Sequence, residues 1–161
     1  MATRATPPTL EALRQRLTYD PETGAFRDKS GKALGTVARG GYVVIRVQGR
    51  LQYAHRLAWI WVHGEPPAGD IDHANGVRTD NRIANLRSAN RSENLANRRT
   101  ANAAGFKGVN VHRDLSRASR YGASITKNGK RTFLGWHKTA EEAGAAYARA
   151  AKEIHGPFAK W

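Results

Sequence analysis

Asn128-Gly129 stands between two strand-like runs, residues 121–127 and 130–136. A two-residue type I′ turn needs positive φ at both positions, and Asn-Gly meets that need with little strain. This stretch is therefore committed to an antiparallel hairpin. Gly108-Val109-Asn110-Val111 reads as a third strand before it. After it, Thr139 and Glu142 have the spacing of a capping box. Ala140, Ala143, Tyr147, Ala150 and Ile154 then recur at steps of three and four, which lines one face of a helix. Gly156 and Pro157 end it. The small alanines let this helix approach the sheet closely.

The preceding residues are punctuated differently. Leu10, Leu13 and Leu17 predict a short helix over 9–18, and Asp20-Pro21-Glu22-Thr23-Gly24 a turn. Tyr42-Val43-Val44-Ile45-Arg46-Val47 reads as a strand that Gln48-Gly49 turns into Leu51-Gln52-Tyr53. Residues 55–63 predict a helix carrying Leu57, Ile60, Trp61 and Val62, which Gly64-Glu65-Pro66-Pro67 ends. Residues 70–87 read as irregular and extended. Ser88 or a neighbour caps a helix over 89–98. The resulting fold class is α+β: an N-terminal region with a β-hairpin (1–54), a core (55–99), a linker (100–105) and a three-stranded antiparallel sheet packed on one helix (106–161).

Each module is small, and a domain of about 60 residues buries only about 60% of its chain surface. There is no cysteine to staple it. That absence also excludes cysteine-ligated structural zinc and thiol nucleophiles. It fits an intracellular protein, as in the cytoplasm of a bacterial or phage-infected cell. The net charge of +14 and the pI near 10.9 call for a polyanionic partner, with nucleic acid ahead of an anionic membrane surface. No stretch has the apolar length of a membrane span, and the first residues lack the apolar core of a signal peptide.

The candidate chemistry lies at Ile71-Asp72-His73-Ala74-Asn75-Gly76, followed by Asn85-Leu86-Arg87 and Ser92-Glu93-Asn94. Asp72 is a hard oxygen ligand suited to Mg²⁺, with Mn²⁺ as an alternative. Adjacent side chains on a strand point to opposite faces, so Asp72 can hold a metal while His73 faces water and accepts its proton. Asn94 can add an amide oxygen to the metal. Asn85 can bind backbone groups and fix the loop that aims His73. Arg78, Arg82, Arg87, Arg91, Arg98 and Arg99 are candidate phosphate contacts. Asn75 and Asn81 read as structural, His55 as a helix-start or packing residue, and His63 as inert.

Residues 55–97 closely resemble the HNH homing endonucleases of phages and mobile introns. The resemblance rests on His55-Arg56-Leu57-Ala58-Trp59, on the Asp72-His73 motif, on Asp80-Asn81-Arg82-Ile83-Ala84-Asn85-Leu86-Arg87 and on Ser92-Glu93-Asn94. It implies a ββα-metal core, Asp72 and Asn94 as metal ligands, His73 as general base and Asn85 as the loop-orienting residue. Residues 106–159 resemble the plant ethylene-response-factor (Apetala-two) DNA-binding domain. The matching pieces include Phe106-Lys107-Gly108-Val109, Phe133-Leu134-Gly135-Trp136 and the helix from Thr139. Tyr121 stands where that family usually has tryptophan. The resemblance implies a sheet that enters the major groove of duplex DNA.

A narrow sheet fits a groove about 12 Å wide. Its exposed face is expected to carry Asn110, His112, Arg113, Arg120, Ser124, Thr126, Arg131 and Trp136, with Lys127 and Lys130 on phosphates. The expected function is a metal-dependent endonuclease that nicks one strand of double-stranded DNA, a monomer by preference. The rival is a DNA-binding regulatory protein with an inactive core, and RNA binding is a third class.

Overall fold

Thr9 accepts a hydrogen bond from Ala12 N at 3.2 Å and so caps α1 (Leu10–Arg16). Leu17 then adopts an extended backbone, which ends the helix before the expected residue 18 and begins β1 (Leu17–Tyr19). β1 pairs with β2 (Phe26–Asp28), which pairs with β3 (Ala33–Leu34), both antiparallel. Asp20 shapes the turn between β1 and β2, accepting from Glu22 N at 2.9 Å and from the Thr23 hydroxyl at 2.7 Å. This computed structural model describes residues 7–97, 102, 104–114 and 116–159.

A second sheet holds β4 (Thr36–Val37), β5 (Val43–Val47) and β6 (Arg50–Tyr53). The turn from β5 to β6 has φ of 49° at Gln48 and 77° at Gly49, the two positive values a type I′ turn needs. α2 (Ala54–His63) follows at once and closes on Gly64 in the left-handed region. Residues 70–87, expected to be irregular and extended, contain an ordered ribbon. β7 (Asp70–His73) pairs antiparallel with β8 (Leu86–Ala89), and a 3-10 turn, Ile83–Asn85, leads into β8.

One apolar core joins these elements: Leu13 and Leu17 from the N-terminal segment, Ile45 and Val47 from β5, Leu57 and Ile60 from α2, and Ile71 and Leu86 from the ribbon. Each fully buried side chain of this size contributes about 1.5–3 kcal/mol. The ribbon thus depends on residues more than 50 positions earlier in the chain.

The chain forms two compact units, residues 1–89 and 90–161. The second begins with α3 (Arg91–Asn97), so the stretch 55–99 straddles the two. Its cap is Asn90, a neighbour of Ser88. Asn90 Oδ1 accepts from Glu93 N at 3.0 Å, and Glu93 Oε2 accepts from Asn90 N at 2.8 Å. Arg98, Arg99 and part of the expected linker lie outside the described residues.

β9 (Val109–Val111), β10 (Tyr121–Lys127) and β11 (Lys130–His137) form an antiparallel sheet with β10 in the middle. Asn128 and Gly129 have φ of 50° and 81°. α4 (Ala140–His155) starts at the full capping box of Thr139 and Glu142. Ala143, Ala146, Tyr147 and Ala151 face Val109, Ala123 and Ile125. The whole is α+β.

Candidate active site

β7 carries Asp72 and His73 into the interior of the first unit, where they are 5% and 4% exposed. The register sets Asp72 opposite Arg87 and His73 opposite Leu86. Arg87 donates to Asp72 Oδ2 from Nε at 2.8 Å, and its Nη2 lies 2.7 Å from the same oxygen as an ion pair. A carboxylate removed from water needs a counter-charge or hydrogen bonds, and the cross-strand position of Arg87 supplies both. Arg87, expected as a phosphate contact, has its guanidinium engaged by Asp72.

Asn85, 8% exposed, ties both ends of the loop 74–85. Its Oδ1 accepts from Asn75 N at 2.9 Å, its Nδ2 donates to Asp80 O at 2.8 Å, and its backbone O accepts from Ala74 N at 2.9 Å. Asp80 in turn accepts from Asn75 Nδ2 at 2.7 Å and from Arg82 Nε and Nη2 at 2.8 and 2.6 Å. The hydrogen bond from Arg82 is the main reason that the Asp80 carboxyl titrates at about 2. Arg82 thus braces the loop from its surface. Arg78 does the same from the other side: Nη1 donates to Gly40 O at 2.8 Å and Cζ lies 4.8 Å from the centre of the Tyr42 ring.

The His73 ring sits among other rings. Its centroid is 5.1 Å from that of His55, edge-on, and 5.9 Å from Tyr42, while Tyr53 stacks on His55 at 5.3 Å. Its Nε2 lies 3.4 Å from Asn81 Oδ1. Burial lowers the His73 pKa, although Asn81 and Asp72 act against that. The effect is to keep the imidazole neutral and able to accept a proton at neutral pH. His55 is pushed down to about 3, first by burial and then by His73 and Arg56.

Asn94 lies half-buried on α3, in the second unit, and Arg91 is exposed on the same helix. Among the described residues there is no group of three or more His, Cys, Asp or Glu side chains able to hold a metal ion.

On the second unit's sheet, the register gathers Asn110, Gly122 and Trp136, then Thr126 and Arg131, on the face away from α4. Gly122 leaves room for the Trp136 ring, which would lie 2.9 Å from an added Cβ. Trp136 is 42% exposed, and its ring meets His112 at 5.4 Å and the Arg117 guanidinium at 5.3 Å. Arg113, Thr126, Lys130 and Arg131 are exposed, and Arg120 lies over Tyr121. Lys127 is exposed, with Nζ donating to Ile154 O at 2.7 Å. Ser124 corrects the expected list. It is 8% exposed, on the central strand beside a register shift, in a cavity that Arg91, Ser92 and Asn110 also line.

Residues 52–96 match the family model described as HNH endonuclease. The match supports an HNH nuclease, with DNA as the implied substrate. No curated protein and no solved structure matches the chain. No helix among the described residues is long and apolar enough to cross a membrane.

For three neighbours of His73 the sequence assigns no place beside its ring, although His55 and Asn81 lie within the matched motifs. His55 shows a weak signal, since it precedes the buried Leu57 and Ala58 in one helical turn. Tyr42 stands in a run whose only pattern is that of a strand. Asn81 is hidden by its own surroundings, because an asparagine in a polar loop reads as a turn former.

Proposed function

We propose that this chain is a metal-dependent, DNA-nicking endonuclease of the homing type, acting as a monomer on double-stranded DNA in the cytoplasm of a bacterial or phage-infected cell. In this reading residues 55–99 form the cutting core and residues 106–161 an Apetala-two-like anchor that uses Asn110, His112, Arg113, Arg120, Thr126, Lys127, Lys130, Arg131 and Trp136. The observation that carries it is the loop behind Asp72-His73: Asn85 clamps both ends, so a buried, neutral imidazole is held beside a buried carboxylate. The family match over residues 52–96 supports it independently.

The donor set fits a hard cation. Asp72 and Asn94 would be its protein ligands, both through oxygen, and a carboxylate has about four lone-pair directions, so accepting from Arg87 does not exhaust it. A divalent cation there would stabilise negative charge on the phosphate and on the departing oxygen, Mg²⁺ before Mn²⁺. His73 takes a proton from water. That O–H bond breaks, its electron pair stays on oxygen, and the oxygen attacks phosphorus. The bond from phosphorus to one ester oxygen then breaks, and that oxygen takes a proton from solvent. Asn85 keeps the loop from swinging the imidazole away, and the basic surfaces hold the phosphodiester chain.

The ion pair of Asp72 with Arg87 favours a second reading, a DNA-binding protein whose core does not cut. Supercoiled plasmid incubated with Mg²⁺ separates the two. The nuclease reading expects relaxed circles from the wild type and none from His73→Ala, with DNA binding retained. Equal nicking by both proteins removes His73 from the chemistry, and no nicking on any duplex favours the second reading.

A further inference from the structure

We infer that Asn81 sets the tautomer of His73, holding the proton on Nε2 so that Nδ1 is the basic nitrogen, and that the N-terminal segment holds Asn81 there through Tyr19. The inference builds on the reading of His73 as general base, and assigns a positioning residue to it.

Asn81 is 3% exposed, the most buried polar residue of the first unit. Its Nδ2 donates to Thr79 O at 3.1 Å, and this bond determines which end of the amide faces which neighbour. The opposite end, Oδ1, faces His73 Nε2 at 3.4 Å. An amide oxygen only accepts, so the imidazole nitrogen facing it must carry the proton. In a neutral imidazole the lone pair then lies on Nδ1.

Asn81 is itself held by distant residues. The Tyr19 hydroxyl donates to Asn81 O at 2.7 Å across 62 positions of sequence, in a buried setting. Burial raises the Tyr19 pKa to about 12, so the hydroxyl stays a donor throughout the working range. Ile83 N donates to Pro21 O at 3.3 Å. Gly24, at φ +73°, lies so close that an added Cβ would fall 2.5 Å from Arg82 N and 2.6 Å from the Asn81 carbonyl carbon. The turn 20–24 and its flanking Tyr19 thus form a backstop for residues 81–83. The N-terminal segment, expected to carry a β-hairpin, also supports the loop behind His73 within the first unit.

Imidazole ¹⁵N spectra of the full-length, metal-free chain, taken at a pH where His73 is neutral, read the tautomer without substrate. The wild type should show His73 protonated on Nε2 alone. Asn81→Leu, which keeps the volume and removes the acceptor, should give mixed tautomers and lower kcat for plasmid nicking by about 10- to 100-fold with little change in KM. Asn81→Asp restores an acceptor and should restore the Nε2 proton. Tyr19→Phe should shift the tautomer ratio in the same direction as Asn81→Leu, by less. If Asn81→Leu does not fold, the wild-type tautomer and Tyr19→Phe decide. Wild-type His73 protonated on Nδ1, or a tautomer ratio that none of these substitutions moves, overturns the assignment. If the chain cuts no DNA, the spectra still decide the role of Asn81, so failure of the nuclease reading is seen separately.

Discussion

The loop behind His73 and the sheet of the second unit are both built on asparagine, arginine and aromatic side chains, but different bonds hold them. Around His73 the ties are long in sequence: Tyr19 to Asn81 spans 62 positions and Arg78 to Gly40 spans 38. In the second unit the ties that set the hairpin and the helix start are local, the two-residue turn at Asn128-Gly129 and the capping box of Thr139 and Glu142, and the longer bond from Lys127 Nζ to Ile154 O spans 27 positions. Burial follows the same division. Asp72, His73, Asn81 and Asn85 are all under a tenth exposed, whereas Arg113, Thr126, Lys130, Arg131 and Trp136 are open to solvent. A group that must hold one proton in one place needs bracing from several directions and removal from water. The surface proposed to meet a long polyanion needs reach and charge, which exposed side chains on a hairpin supply.

Acid should break this comparison most strongly. Burial makes the folded His55 bind its proton only near pH 3, against 6.5 in the unfolded chain. Between those values the unfolded state holds more protons, so stability rises with pH across the window. It is complete above about 6.5 and lost as pH falls toward 3. His73 adds to the loss in the same direction. Acid titration followed by amide NMR should show residues 54–73 losing protection over this range. His55→Phe should flatten the profile, and an unchanged profile would show that His55 does not carry it. His155 is shifted downward as well, again by burial first, so the second unit should show an acid response that His55→Phe leaves alone.

Arg87→Ala should come next. It leaves Asp72 buried without its counter-charge, at a cost of about 3 kcal/mol in urea denaturation. Replacing both partners by leucine should recover most of that. A loss below about 1 kcal/mol would place the pair with ordinary surface ion pairs and weaken the contrast between the two regions. Thr139→Ala should have the smallest effect, about 1 kcal/mol, because it removes one cap bond at an exposed helix start. Its cost should stay confined to α4 in hydrogen exchange. A loss as large as that of Arg87→Ala would mean that the second unit is not held by local signals.

These differences decide what could be read in advance. The hairpin at Asn128-Gly129 and the helix from Thr139 were legible because turn chemistry and capping act within a few residues. The alternation that sets Thr126 and Arg131 on one face follows from the pleat. Ser124 was misplaced because alternation gives a face and not its exposure. That position is central in the sheet, beside a register shift. For Arg87 the sequence suggested phosphate, because it is a basic residue in a basic chain, and gave no sign of Asp72. Only the pairing of β7 with β8 shows that it stands opposite Asp72.

By itself, the sequence determined the α+β class, the turn and capping positions, the polyanionic partner implied by the net charge of +14, and the Asp72-His73 motif with Asn85 behind it. All of these depend on residue type and short spacing. The tertiary structure alone decided that Arg87 holds Asp72, that His55 and Tyr42 wall in His73, and that Tyr19 brings Asn81 to its imidazole. Those contacts join segments tens of residues apart. Their geometry exists only once the common core of Leu13, Ile45, Leu57 and Leu86 has closed.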